Sequence, residues 1–443
     1  MATKPTTNTE IVNAKPSKIF FVETLPRDIP LSDCILDLVD NSVHSLVTQL
    51  DLDVSEILFS GKGGKKLKGS IDISFTPSRF KMTDDCGGIS IDDAKNHVFR
   101  LGSPVENKKQ AGLGVYGIGM KRAFFKMGRT INVESRTRTE CFGIEINVDS
   151  WIKNEDDWDL ELSYARKEKS ATGGTEIEIT DLLPTVKEHF ASKGFIALLL
   201  EKMSRAFALF LKAGLNITVN GHKPEPDVPE LAESPHLRPI RHMLKKDGVD
   251  ILIMAGLSPV TDRTPRGWYV FCNGRMVLDA DKTEKTGWGA ESQPSFHVKF
   301  NHFLGYVYFR SKDLWKLPWT TTKDGVDRES PIYQVALSEM RVQSRPVLQF
   351  INTFYEEGRE LSQPEHAVFA KAKAVSPLAV AKRRNTNFQA TVKTEKADAV
   401  VSIQYKRPQK RLKQVAVALG QPRLSASRIG EQTFDWFYER NCK

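Results

Sequence analysis

The chain has 443 residues, 40% of them hydrophobic, and a net charge of +9, which is typical of a globular protein with two or three domains. No stretch approaches 18 uninterrupted apolar residues and no apolar core follows the N-terminus, so we expect neither a transmembrane helix nor a secretory signal. The five cysteines are widely spaced, which predicts no zinc site and no disulfide scaffold. We therefore expect a protein of a reducing compartment, cytoplasmic or, in a eukaryote, nuclear, without membrane partners.

Hydrophobic periodicity predicts an α+β chain. Apolar residues recur at helical spacing through residues 31–50, which indicates an amphipathic helix. The elements expected after it are strands at 70–75 and 79–84, short helix 90–102, helix 120–128, strands 130–137, 141–148, 160–166 and 174–181, helical stretch 186–213, and strands 215–221, 249–257, 267–277 and 301–309.

Composition divides the chain further. Residues 224–239 are rich in Pro and Glu, which predicts a boundary, and we expect domains at 1–222 and 240–345. Residues 346–443 are expected to form a helical segment and a basic C-terminal region. The glycine- and lysine-rich stretch 61–69 is expected to be an exposed loop.

The positive charge is concentrated at the end of the chain. From Ser376 to Lys443 there are 14 Lys/Arg against 5 Asp/Glu, so this segment carries the excess of the whole chain. Few large apolar residues accompany these charges, so we expect a loosely docked or flexible tail. Phe388 and Tyr405 lie between the basic residues, a pattern that suits phosphate backbones but also fits a solvated tail.

Polar residues on the first helix can carry chemistry. Asp37 and Asn41 are four residues apart and project from one helical face. An Asn beside a carboxylate can hold a divalent cation while the carboxylate polarises a water, and magnesium favours such oxygen ligands. Taken alone, the pair also fits the polar face of a half-exposed helix.

Glycine-rich turns follow at three places. At residues 82–89 a strand ends in a turn with Asp84 and Gly88, where a backbone can approach a planar ligand and an Asp can accept from an exocyclic amine. Residues 112–121, GLGVYGIGMK, open into a helix and offer free N–H groups to a triphosphate. Residues 173–179 form a strand led by glycines and Thr175. Tight turns, a flexible loop and an ordinary strand start remain alternatives for these stretches.

Together, these four blocks resemble the GHKL ATPase superfamily of gyrase, the 90-kDa heat-shock chaperones, histidine kinases and MutL. Their order and separations over residues 18–220 match that family. The resemblance implies a Bergerat ATP-binding α/β sandwich with ATP and Mg²⁺ as cofactors. It assigns Asn41 to Mg²⁺, Asp84 to the adenine amino group, Gly88 to the turn beneath the base and Thr175 to the adenine region. The lid and phosphate-binding positions are Gly112, Gly114, Tyr116, Gly117, Ile118, Gly119, Met120 and Lys121.

Two positions depart from the family pattern. The hydrolytic members usually have Glu four residues before the asparagine, as the general base, whereas this chain has Asp37. Its side chain is one methylene shorter, so its reach to the attacking water falls short by about 1 Å and slow hydrolysis is expected. Cys86 replaces the first glycine of the adenine turn, which is tolerable if that turn does not need a positive φ.

The second unit resembles the transducer domain of gyrase, MutL and MORC proteins. Residues 267–278 resemble its central strand, and residues 317–323, LPWTTTK, resemble the loop that sends a lysine to the γ-phosphate. The resemblance makes Lys323 a catalytic residue together with Asp37, although a plain surface lysine also fits the sequence. The fold expected is thus the ATP-binding sandwich, a smaller α/β transducer-like domain and a basic C-terminal tail.

These features predict a slow Mg²⁺-dependent ATPase that works as an ATP-gated homodimeric clamp. The basic tail and the stretch 61–69 favour duplex DNA as the substrate, and protein partners are the alternative. A nucleotide-binding switch or scaffold with little hydrolysis is the chief rival function. A chaperone-like role or a place in a defence system is compatible with that rival.

Overall fold

The computed structural model describes most of the chain and divides it into two compact units. The described residues are 12, 16–50, 67–102, 117–259, 265–290, 293–356, 372–391 and 402–442. The first unit comprises Met1–Val392 and the second Lys393–Lys443.

A seven-stranded sheet dominates the first half of the larger unit. Its strands are β1 (Ser70–Thr76), β2 (Arg79–Asp84), β3 (Gly128–Arg136), β4 (Glu140–Asn147), β5 (Leu162–Lys167), β6 (Gly174–Leu182) and β7 (Asn216–Val219). They lie in the order β5-β4-β3-β6-β2-β1-β7. Neighbours are antiparallel except β1 and β7, which are parallel. The strands predicted over residues 70–84, 130–181 and 215–221 are therefore confirmed.

Seven helices belong to this half of the larger unit in the described residues, and α1 shares an apolar core with the sheet. They are α1 (Leu31–Gln49), α2 (Ile91–Asp93), α3 (Gly119–Met127), α4 (Val148–Lys153), α5 (Pro184–Ala191), α6 (Lys193–Ala206) and α7 (Ala208–Ala213). Two π-helical turns, Phe20–Thr24 and Ala94–Val98, complete the set. Alternation in β1 buries Ile71 and Ile73, which join Ile35 and Val39 of α1 in one apolar core. Because α1 packs against α3, polar residues of these two helices can meet at their contact.

A five-stranded sheet forms the second α/β layer of this unit. After the short strands β8 (Leu231–Glu233) and β9 (Leu237–Arg238) come β10 (Ile240–Lys246), β11 (Val249–Leu257), β12 (Gly267–Cys272), β13 (Arg275–Asp281) and β14 (Phe303–Arg310). The larger five lie in the order β10-β11-β14-β12-β13. A 3-10 turn, Glu284–Thr286, follows β13, and Val298–Phe300 and Leu314–Lys316 form two more.

The prediction of one strand over residues 267–277 is wrong, because that stretch is a hairpin. Asn273 and Gly274 both have positive φ, +43° and +86°, between β12 and β13. An Asn-Gly pair is the strongest short-range signal for a two-residue hairpin turn, so the sequence contained this information. The turn places Arg275 at the first position of β13.

The end of the larger unit packs back onto its sheets. Helix α8 (Pro331–Glu356) packs against β11 and continues across residue 345, the expected end of the second domain. Strands β15 (Lys373–Val375) and β16 (Gln389–Ala390) flank α9 (Pro377–Ala381) and pair with β8 and β9. Phe388 is half-buried and packs 5.6 Å from Phe350 between ring centroids. The first part of the basic tail is docked through β16, so of the two states expected for the tail, loosely docked or flexible, this part is in a docked one.

The smaller unit contains two helices, α10 (Gln409–Ala418) and α11 (Ala426–Asn441). Only Ala416 and Ile429 are buried among its described residues, in agreement with the expectation that this segment buries little. Ser425 caps α11 by accepting from the Arg428 amide. Of the stretch 61–69, residues 61–66 lie outside the described part, and Leu67 is buried rather than exposed. None of the described helices is long and apolar enough to cross a membrane.

Candidate functional site

Helix α1 carries two buried carboxylates one turn apart. Asp37 is 4% exposed and Asp40 is fully buried, while the neighbouring Asn41 is half-buried. Such carboxylates need charged or hydrogen-bonding partners, because an isolated buried charge is strongly disfavoured. Their partners come from three other elements of the same unit.

The predicted lysine is one of these partners. Nζ of Lys323 lies 2.8 Å from Oδ2 of Asp40 and 3.4 Å from Oδ1 of Asp37, and the lysine is only 4% exposed. Its backbone has φ +54°, and its amide donates to the Thr320 carbonyl at 3.0 Å. A non-glycine residue in the left-handed region is unusual and often marks a functional loop. The plain surface lysine that the sequence also allowed is wrong, because this side chain is buried against α1.

Two arginines complete the cluster, and the sequence analysis missed both. Nη2 of Arg122, on α3, lies 2.7 Å from Oδ2 of Asp37. Nε of Arg275, at the start of β13, lies 3.1 Å from Oδ1 of Asp40 and also stacks on the Phe207 ring. Arg122 directly follows the glycine-rich motif and Arg275 directly follows the hairpin turn. Both arginines therefore lie beside a recognisable motif, but nothing in the sequence indicates which residues they pair with.

The cluster has a surplus of positive charge. Two carboxylates, Asp37 and Asp40, face three basic side chains that are all at least nine-tenths buried. A buried surplus of positive charge favours the binding of an anionic ligand, because a negative charge nearby stabilises each unpaired positive charge. His44, one turn after Asp40 on α1, is kept neutral: burial, with a smaller contribution from the Lys323 charge, lowers its pKa to about 4.

The helix α3 meets the cluster at its first turn. A Cβ on Gly119 would lie 3.1 Å from Oδ2 and 3.2 Å from Cγ of Asp37, so the glycine allows the two helices to approach. Gly117 has φ +62°, and Ile118 leads directly into the helix. A side chain at position 119 would therefore press on the Asp37 carboxylate.

Asp84 lies at the other end of the candidate site, where β2 ends. Its Oδ2 accepts from the Ser42 hydroxyl at 2.6 Å, and its Oδ1 accepts from the amides of Cys86 at 2.9 Å and Thr175 at 3.3 Å. Burial raises the pKa of Asp84, and these three hydrogen bonds oppose that rise. Ser42 is adjacent to Asn41 on α1, and the sequence analysis missed it.

The turn after Asp84 fits only glycine at Gly88. It has φ +73°, and a Cβ there would lie 1.9 Å from the Arg136 carbonyl oxygen. Cys86 is not among the described residues with positive φ, which removes the objection to a cysteine at this position. The Ser135 hydroxyl on β3 accepts from the Ile89 amide at 2.8 Å and shares a hydrogen bond of 2.9 Å with the Thr175 hydroxyl, so it links the turn to β6. These residues form a rigid cradle where a planar group can approach the backbone.

The other predicted phosphate-binding residues belong to the glycine-rich motif, and only some of them are described. Met120 is buried, and Nζ of Lys121 donates to the Val98 carbonyl at 2.8 Å beside a cleft of about 710 Å³. Burial lowers the pKa of Lys121 to about 7. Gly112, Gly114 and Tyr116 lie outside the described residues.

The structure brings most of the predicted residues to one edge of the first sheet. Asp37, Asn41 and Ser42 lie on α1, and Gly119 starts the helix packed against it. Asp84 and Gly88 lie at and after the end of β2, and Thr175 lies at the start of β6. Helix α1 therefore takes part in both halves of the candidate site. Its Asp37 and Asp40 belong to the buried cluster with surplus positive charge, and its Ser42 donates to Asp84. A ligand with a planar polar ring and a polyanionic chain has matching chemistry.

Residues 29–177 match the family model described as histidine kinase-, DNA gyrase B-, and HSP90-like ATPase. The match covers about a third of the chain, and it supports the GHKL superfamily for this segment and ATP as its ligand. No curated protein matches the chain. The expected α/β fold, with a second α/β domain after the ATPase segment, is confirmed.

Proposed function

We propose that the protein is a Mg²⁺-dependent ATPase whose γ-phosphate site is formed by α1 together with the loop that carries Lys323. The contact of Lys323 with Asp37 and Asp40 carries this proposal. It shows that a loop beyond the second sheet reaches the helix on which the family places its catalytic carboxylate. The match to residues 29–177 supports ATP as the substrate.

The residues present fit this nucleotide. Asp84 is held by three donors in an orientation suited to accept from the adenine amino group, and Gly88 leaves room for the base. Asn41 would hold Mg²⁺, and that ion would supply positive charge to stabilise the phosphates. The glycines at the start of α3 would present amides to the phosphates, and Lys121 is a further candidate for a phosphate contact.

In the proposed mechanism, Asp37 accepts a proton from the attacking water and Lys323 neutralises charge at the γ-phosphate. Arg275 keeps Asp40 paired when Lys323 turns from the carboxylates to the phosphate. Because the loop that carries Lys323 follows the second sheet, its change of partner would couple nucleotide binding to movement of that layer. A gated clamp of the gyrase, MutL and MORC type, with two chains closing on ATP, would use this coupling.

The substrate of the clamp is proposed to be duplex DNA, with protein partners as the alternative. The described smaller unit supports a polyanion: α10 carries Lys410, Arg411 and Lys413, and Tyr405 is exposed beside Arg407. The rival function is a nucleotide switch with little hydrolysis. Its support is the short Asp37 side chain, both of whose oxygens are engaged by cations.

The first experiment is steady-state hydrolysis of Mg²⁺-ATP by the parent protein and by Asp37→Asn, with and without duplex DNA. We expect slow turnover that Asp37→Asn reduces by at least about 100-fold, because the water loses its base. The matched control is Asp33→Asn on the same helix, whose carboxylate pairs with Lys202 at 2.6 Å. Absence of turnover, with ATP still bound, would reject the ATPase and favour the switch.

The DNA proposal needs its own comparison. Replacing Lys410, Arg411 and Lys413 by Gln should weaken duplex binding and lessen its salt dependence. Replacing three exposed lysines of the larger unit, Lys153, Lys187 and Lys193, is the charge-matched control. If both variants bind duplex DNA with equal affinity, the smaller unit takes no part in DNA recognition.

A further inference from the structure

The carboxylate of Asp37 has two unlike oxygens. Oδ2 accepts from Arg122 at 2.7 Å and also faces the backbone of Gly119, where a Cβ would lie 3.1 Å away. Oδ1 has the longer contact, 3.4 Å, to Lys323. A charge-assisted bond of 2.7 Å is short and strong, whereas one of 3.4 Å is weak. Oδ2 is therefore committed to α3, and Oδ1 is the less committed oxygen.

Lys323 has a better partner than Oδ1. Its amine lies 2.8 Å from Oδ2 of Asp40, the same carboxylate that Arg275 contacts at 3.1 Å through Oδ1. Lys323 can therefore leave Asp37 while keeping a buried counter-charge. Arg122 has no such alternative among the contacts of the described residues, since Asp37 is the one acidic group it pairs with there.

Arg122 is also well placed to hold Asp37 still. It is 3% exposed and lies on α3, which packs along α1. A rigid guanidinium holds its N–H group in a more fixed direction than a flexible ammonium does, so it restrains the accepting oxygen more firmly. Because Asp37 is shorter than the glutamate usual in the family, a precise orientation matters more here, and an error of about 1 Å can cost 100-fold in rate.

From these contacts we propose that Arg122 is the positioning residue of the catalytic carboxylate, and that Oδ1 of Asp37 is the oxygen that takes the proton from water. This inference rests on the proposed ATPase function. Arg122 touches neither the water nor the nucleotide in this assignment, and acts through Asp37 alone. Its loss should therefore change the chemical step and leave nucleotide binding intact.

The test compares Arg122→Lys with the parent in steady-state Mg²⁺-ATP hydrolysis and in ADP binding by calorimetry. We expect kcat to fall about 10- to 100-fold, with KM for ATP and Kd for ADP within about threefold of the parent. The matched control is Arg383→Lys, which alters another arginine–carboxylate pair, with Glu233, and should keep parental kcat. Parental kcat in Arg122→Lys, or equal losses of kcat and ADP affinity, would overturn the inference.

A second variant separates positioning from folding. Arg122→Ala should regain turnover when guanidinium is added at about 50 mM, because the ion restores the planar partner of Oδ2, while methylammonium should not. Equal rescue by both ions, or none in a variant that still binds ADP, would count against a positioning role. If the parent itself does not hydrolyse ATP, the proposed function fails and this inference fails with it. If the parent hydrolyses ATP and Asp37→Asn does so more slowly as expected, the Arg122 variants test the assignment of Arg122 alone.

Discussion

Nζ of Lys323 lies 2.8 Å from Oδ2 of Asp40, although the two residues are 283 positions apart in the chain. This contact joins the loop after the second sheet to the first helix of the nucleotide-binding segment. The amine reaches Asp37 as well, so one side chain from the second α/β layer faces the predicted general base. The geometry links two domains that the sequence could only place one after the other.

Replacement of Lys323 by Met should abolish the preference for a triphosphate. We expect parental Kd for ADP, a non-hydrolysable ATP analogue bound no more tightly than ADP, and at least about tenfold lower kcat. The free energy of unfolding should change by less than about 1 kcal/mol, because Arg122 and Arg275 still pair with the two carboxylates and a buried lysine is replaced by an apolar side chain. Lys316→Met, which removes an exposed amine, is the control. A parental preference for the triphosphate would refute the assignment of Lys323.

Gly119→Ala should lower the activity of the protein without lowering its stability. Alanine favours the helix by up to about 1 kcal/mol, but its Cβ would lie 3.1 Å from Oδ2 of Asp37 and displace the carboxylate by some tenths of an ångström. We therefore expect an unchanged or higher midpoint of unfolding and a lower kcat. Gly194→Ala in α6 is the matched control, because its Cβ would meet only Ser192 Oγ at 3.5 Å. Parental turnover in Gly119→Ala would show that Asp37 tolerates this displacement.

Ser42→Ala should weaken the recognition of adenine. The change removes the 2.6 Å donor to Oδ2 of Asp84 and leaves that half-buried carboxylate with the amides of Cys86 and Thr175 alone. We expect about tenfold weaker ADP binding and little change for inosine diphosphate, which lacks the exocyclic amine. Ser45→Ala, whose hydroxyl makes only a 3.4 Å contact with the Gly88 carbonyl, is the control. Equal losses for both nucleotides would contradict an Asp84 role in base recognition.

His44 should make folding sensitive to mild acid. Its pKa is lowered to about 4 in the folded chain, mainly by burial, against 6.5 as the ordinary value. The unfolded chain therefore takes up a proton first, so stability is complete above pH 6.5 and falls as the pH drops towards 4. The loss is about 3 kcal/mol at most. Urea unfolding at pH 7.5 and pH 5 should show a smaller difference for His44→Gln than for the parent, while the exposed His189→Gln should behave like the parent.

The sequence determined the order of the elements and the chemistry of the motifs. Period-2 alternation predicted the strands of the first sheet, and helical spacing predicted α1, because both periodicities follow from the local geometry of the backbone. The four glycine and carboxylate blocks pointed to ATP, which the match to residues 29–177 supports. The hairpin at Asn273-Gly274 was also local information, and only its interpretation was wrong.

Tertiary structure decided which charged residues meet. Arg122 and Arg275 were ordinary basic residues in the sequence, and nothing local showed that they pair with Asp37 and Asp40. A charge becomes informative only when burial removes water and forces it to find a partner, and burial depends on the packing of elements distant in the chain. The basic tail illustrates the same point, because its residues Gln389–Ala390 form strand β16, which pairs with β9, a partner that no local pattern could identify.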